Sequence, residues 1–264
     1  MGLFKTKRSI LRERFLNFFT TYIEISYPQA NCRLTVIYLS AQIDRPSSSA
    51  RTLSFFMTFT QKIQKAINVS ARLHRAHVRI GLDLPYIVHP YSVAVLISEY
   101  SKDEDVICAG LLHDVLEDAE NYTYDNLADD FGIRVAEIVR GVTEVRTHDD
   151  NGKILETWYE RKQEYLKNLR EAGQESLLVC AADTTHNLQS LLVTHVLIGN
   201  SVWGSFHASI EEKMNFYENV IDIVSHRLSS GIVTDLNNAY DALSHALNGD
   251  EFVQEKKENS PISF

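Results

Sequence analysis

An all-α domain is what this sequence predicts, and three observations predict it. From Thr58 onward apolar residues recur at helical spacing, no stretch sustains period-two alternation, and the periodic segments are separated by glycines, prolines and short polar runs. Ile63, Ala66, Ile67, Ala71 and Leu73 carry the first helical pattern, which runs to His77. RIGLDLPYIVHP follows, and its Gly81, Pro85 and Pro90 predict a loop, each proline favouring extended backbone in the residue before it. Helices are then expected over 91–100 and 103–118, the second opening on acidic residues that suit the positive end of a helix dipole. Thr123 can cap a helix through Asp130, and Gly132 begins another through Val142. Residues 143–154 read as a polar loop. Four long helices complete the pattern, over about 156–171, 175–197, 207–228 and 235–247, punctuated by Gly199, Gly204 and Gly231. The expectation is a single helical bundle over 57–250, with 251–264 a charged, disordered tail.

Composition narrows the function classes. Of 264 residues, 44% are hydrophobic and 23% charged, ordinary for a globular chain with one substantial core. The net charge of -9 argues against a protein that coats nucleic acid, and no apolar run approaches membrane-spanning length. Cys32, Cys108 and Cys180 have no paired spacing. Cys108 and Cys180 lie in apolar helical runs and read as inert thiols of a reducing compartment, so a cytoplasmic location is expected.

The first 56 residues differ from the rest. They carry eight Lys and Arg against three acids, leaving about -14 for the remainder, and they end in the Ser-rich RPSSSARTLS. MGLFKT fits a myristoylation pattern, and an Arg-rich, acid-poor leader fits a transit peptide. The reading preferred is a poorly ordered or spurious extension over 1–56, with Met57 as the true start, because organised sequence begins there.

The richest chemistry lies in LLHDVLED, Leu111 to Asp118. On a continuous helix Glu117 falls one turn beyond His113, and Asp118 one turn beyond Asp114. A second pair, His148-Asp149, sits in the polar run RTHDDNGK and reads as loop. His89, between a constrained loop and Pro90, is either a positioned ligand or a capping and packing residue. Asp183 lies in SLLVCAADTTHNLQSLL, where apolar neighbours make an unpaired carboxylate costly. It is either bound to a metal or satisfied by a hydroxyl such as Thr184 or by a neighbouring helix. His186 and Asn187 follow on the same helical face. His89, His113, Asp114 and Asp183 would together give a two-nitrogen, two-oxygen set suited to Mn²⁺, Fe²⁺ or Zn²⁺. Such an ion acidifies water for attack on phosphorus, and Glu117 and Asp118 could orient that water or move its protons.

HxxHxR (His74 to Arg79), PYIVHP, AGLLHDVLED, FGIRVAEIVRGVTE and AADTTHN occur in this order, and the combination resembles the HD-domain hydrolases of the RelA/SpoT alarmone type over about residues 60–225. The resemblance implies an HD-domain helical bundle. It also implies a phosphohydrolase that removes the 3′-pyrophosphate from (p)ppGpp by attack of metal-activated water, most often with Mn²⁺. It places the metal on His89, His113, Asp114 and Asp183, catalysis on Glu117 and Asp118, and the guanine and ribose contacts on Arg79 and Asn187. The expected partner is a small nucleotide, with no nucleic acid and no membrane, and nothing sets an oligomeric state. The length after residue 250 leaves no room for a synthetase domain.

Three positions depart from the family pattern: His77 replaces a glutamine, Ile80 a lysine, and Thr184 a lysine or arginine. The loss of basic groups bears on which nucleotide is bound. Arg161 and Lys162 are candidates to replace that charge, although the preferred reading leaves them solvated on a helix. His74 and His77, three apart, have two readings, metal ligands or surface and capping residues, with the second preferred. Trp158, Trp203 and Tyr217 read as core or rim aromatics. Two other functions stay in view: an HD phosphohydrolase acting on another nucleotide or phosphoester, and a non-catalytic nucleotide- or protein-binding HD domain.

Overall fold

The computed structural model describes residues 21–26, 33–38, 59–119, 121–147 and 154–258. The chain divides into two units, Met1–Ser54 and Phe55–Phe264. In the first, β1 (Thr21–Ser26) pairs antiparallel with β2 (Arg33–Tyr38), Thr21 opposite Tyr38 and Ser26 opposite Arg33. The sequence reading gave this segment no element. TYIEIS and RLTVIY are short, rich in β-branched and aromatic residues, and alternate over only six positions. The remaining residues of 1–56, with the myristoylation and transit-peptide patterns, lie outside the described residues.

The second unit is helical, as expected. Its elements are α1 (Gln61–Leu73), α2 (Val88–Tyr100), α3 (Glu104–Leu112), α4 (Val115–Asp118), α5 (Tyr124–Phe131), α6 (Ile133–Arg140), α7 (Trp158–Glu171), α8 (Gln174–Ile198), a 3₁₀ turn (Gly199–Ser205), α9 (Ile210–Arg227) and α10 (Ile232–Glu258). Hydroxyl and carboxylate caps set several starts. Thr60 and Asp103 cap α1 and α3, while Thr123, Thr157 and Ser209 form full capping boxes with Asn126, Glu160 and Glu212.

Two helices are enclosed by the others. In α3 every residue from Val106 to Leu112 is buried, and α8 buries residues around its whole circumference over its N-terminal half. α8 packs against α2, α3, α6, α9 and α10, and α3 also meets α1, α2 and α6. Where α2 and α3 cross, a Cβ at Gly110 would sit 2.4 Å from Ile97 Cδ1, so that side chain would have to shift, and 3.5 Å from the Ala94 Cα. The buried thiols of Cys108 and Cys180 are pushed up to about 12 by burial, consistent with unreactive core cysteines.

Several boundaries differ from expectation. α1 stops at Leu73, with His74 as its C-cap, rather than reaching His77. α2 begins at Val88, so His89 lies within its first turn, where Pro90 costs no helical hydrogen bond. The helix expected over 103–118 is broken at His113 and Asp114. α10 continues through Glu258, into the segment read as a disordered tail, and residues 259–264 lie outside the described residues. No described helix is long and apolar enough to cross a membrane.

Candidate metal centre

The break between α3 and α4 aims His113. The Gly110 carbonyl, which in an unbroken helix would serve the Asp114 amide, instead accepts from His113 Nδ1 at 2.9 Å. A carbonyl can only accept, so Nδ1 carries the proton and Nε2 is left as the ligand atom. His89, from the first turn of α2, brings its Nε2 to 3.2 Å from that of His113. Its Nδ1 faces His186 Nδ1 at 2.7 Å, a partner that fixes the ring.

The carboxylates close the cluster. Asp114 Oδ2 lies 3.0 Å from His113 Nε2 and 3.5 Å from His89 Nε2. Asp183 Oδ1, from the middle of α8, lies 3.0 Å from His89 Nε2 and 3.6 Å from His113 Nε2. Each carboxylate has its own support: the Tyr86 hydroxyl donates to Asp114 Oδ2 at 2.7 Å, and Asn187 Nδ2 donates to Asp183 Oδ1 at 2.7 Å. Ligands about 2.1 Å from one ion stand about 3.0–3.4 Å apart, so separations of 3.0–3.6 Å fit a shared divalent cation. This His/Asp cluster could bind a metal, and its donors match one.

Electrostatics point the same way. Burial opposes charge on His113, yet Asp114 and Asp183 outweigh it and hold its pKa well above the usual value. Burial likewise opposes ionisation of Asp114 and Asp183, but the two imidazoles hold both carboxyls far below the ordinary range. His89 moves down, driven first by burial. The cluster therefore keeps both carboxylates ionised and draws positive charge to its centre.

Glu117 and Asp118 stand beside it in different settings. Glu117 Oε1 accepts from the Glu144 amide at 2.7 Å and Oε2 from Arg146 Nη2 at 2.7 Å. Burial and the Asp114 charge push its pKa up to about 8, against the pull of those two donors. Asp118 has only longer ion pairs, 3.8 Å to Arg146 Nη1 and 3.9 Å to His74 Nδ1, and burial and Asp114 raise it to about 6. Arg79 Nη2 donates to Asn187 Oδ1 at 3.0 Å, so the two residues expected at the nucleotide meet each other and, through Asn187, Asp183.

These residues line one cavity of about 1240 Å³, which also takes in Trp158, Lys162, Lys213 and Tyr217. Trp203 and Tyr217 are buried, as expected for core or rim aromatics. Arg161 and Lys162 are neither solvated nor free: Arg161 Nε lies 2.9 Å and Lys162 Nζ 2.6 Å from the buried Glu144 carboxylate. Of the departures, Thr184 is buried and Ile80 is exposed. His148 and Asp149 lie outside the described residues. Sequence reasoning missed Tyr86, Glu144, Arg146 and Lys213. Tyr86 lay inside the quoted PYIVHP, whereas Glu144 and Arg146 carry no local signal.

Comparison with known proteins agrees with this geometry. The HD domain family matches residues 66–196, which hold all four candidate ligands. The guanosine-3′,5′-bis(diphosphate) 3′-pyrophosphohydrolase of Aquifex aeolicus is 32% identical over 145 residues, 54% of this chain and 20% of that protein. The bifunctional (p)ppGpp synthase/hydrolase SpoT of Escherichia coli is 32% identical over 133 residues, 50% of this chain and 18% of that protein. The chain thus spans about a fifth of the length of these curated relatives. A solved structure described as a metazoan ortholog of SpoT that hydrolyzes ppGpp aligns with TM-score 0.57 and 25% identity, covering 69% of this chain and 96% of that one. Residues 66–196 match the HD-domain family, and over that stretch the chain is similar to (p)ppGpp hydrolases of the SpoT type.

Proposed function

We propose that this protein is a cytoplasmic, Mn²⁺-dependent phosphohydrolase that removes the 3′-pyrophosphate from (p)ppGpp. The observation that carries the reading is that His89 Nε2 and His113 Nε2 each lie within 3.0–3.6 Å of both Asp114 and Asp183, in one cavity with Glu117 and Asp118. The names of the relatives supply the substrate class. A divalent ion held by these four residues would polarise a phosphoryl oxygen and acidify water. Glu117 and Asp118, raised to about 8 and about 6, are the groups that take the proton of the attacking water. Glu117, fixed by Arg146 and the Glu144 amide, also orients that water. Arg79 and Asn187 receive the guanosine, and Lys213 supplies positive charge on the cavity wall for the phosphates.

Purified protein with Mn²⁺ is expected to release pyrophosphate from ppGpp, read by product chromatography. Turnover of other nucleotides alone would sink the substrate assignment. A second reading, an HD phosphohydrolase with another nucleotide or phosphoester, is favoured by one observation: Ile80 and Thr184 leave no basic side chain beside Arg79 or Asp183. A nucleotide screen separates the two.

A further inference from the structure

The turn that closes α1 places a second group of donors beside the first. His74 Nδ1 and His77 Nδ1 face each other at 3.2 Å, and Asp118 Oδ2 lies 3.9 Å from His74 Nδ1. All three donor atoms fall within 4.8 Å of one another. We propose that His74, His77 and Asp118 form a second site for a divalent transition-metal ion, adjoining the site of His89, His113, Asp114 and Asp183.

Five observations support it. Two ring nitrogens 3.2 Å apart match the spacing of adjacent ligands on one ion, and an Asp118 oxygen lies within 4.8 Å of both rings' ligand atoms. His74 is 1% exposed, so its ring is fixed by packing beside His77. Among the described residues the Arg or Lys paired with Asp118 is Arg146, at the long distance of 3.8 Å. His77 and Asp118 both line the cavity, so an ion can reach them. The rings of His74 and His89 flank Tyr86, with centroids 5.0 and 5.6 Å from it, so the two groups share a wall. Two imidazoles with one carboxylate suit Zn²⁺ or Co²⁺ over Mg²⁺ or Ca²⁺. An ion here would offset the negative charge of Asp118 and Glu117 on the side from which a phosphate must approach.

The test uses the metal alone and does not depend on the nucleotide reading. Full-length protein dialysed against Co²⁺ is expected to retain about two ions per chain by elemental mass spectrometry, and His77→Gln about one, with circular dichroism confirming its fold. One ion in the unmodified chain, or two in His77→Gln, overturns the proposal. Should His77→Gln not fold, the visible absorption of Co²⁺ decides: titrating the unmodified chain should give two successive band changes, and a single one overturns the second site.

Discussion

Around Glu144, three cations surround one buried carboxylate; around Asp114 and Asp183, two buried carboxylates face two imidazoles that aim Nε2 at a common point. Arg146, Arg161 and Lys162 approach Glu144 at 3.2, 2.9 and 2.6 Å, so that group is neutralised from within the chain. No Arg or Lys forms an ion pair with Asp114 or Asp183 among the described residues, and an imidazole supplies positive charge there only by holding a proton. The two groups lie on either side of Glu117, which takes hydrogen bonds from the first and faces the charge of the second. Buried charge satisfied by fixed partners is structure. Buried charge that needs a removable one is a binding site.

The comparison breaks most sharply at Asp114. Asp114→Ala should lower hydrolysis by on the order of 10³-fold or more, about 4 kcal/mol of barrier, and remove Mn²⁺ binding while the fold survives. Calorimetric Mn²⁺ titration beside a turnover assay checks both, and full activity in that variant refutes the site.

Glu144→Gln tests the other half. It leaves three partly exposed cations without their counter-charge and should cost about 2–3 kcal/mol of stability in urea unfolding, below the full penalty for a wholly buried pair. Burial opposes the charge on Glu144, but Lys162 and Arg161 hold its carboxyl below the ordinary 4.5. Its folded pKa therefore lies below its unfolded one. The stabilisation is complete above the unfolded value and is lost as pH falls through the folded value. The variant should show a shallower loss of stability on the acid side than the parent, and equal acid slopes would show that Glu144 is not a source of it.

Arg79→Ala sharpens the boundary between ligand support and substrate contact. A KM increase of about 10-fold with kcat within about 2-fold is expected if Arg79 mainly holds nucleotide. An equal fall in kcat would place its effect on Asp183, through Asn187.

The candidate metal ligands were legible because each of them breaks a local rule. Asp183 is a carboxylate in an apolar helix, His89 is pinned against Pro90, and His113-Asp114 closes the run VICAGLL. The Glu144 group was not legible, because its members sit 2 to 18 positions apart on a polar loop and a helix that read as solvated. Only the fold turns Arg161 and Lys162 inward. The helices were legible for the same reason as the ligands, through apolar spacing. The break at His113 was not, since both residues keep helical dihedral angles and only the hydrogen bonding changes.

Gly110 couples this arrangement to a helix crossing. Its missing side chain lets α2 settle onto α3, and its carbonyl orients His113 while α2 carries His89. A methyl at position 110 would press first on the Ile97 side chain of α2, 2.4 Å away, and so on the helix that carries one imidazole from the helix that carries the other.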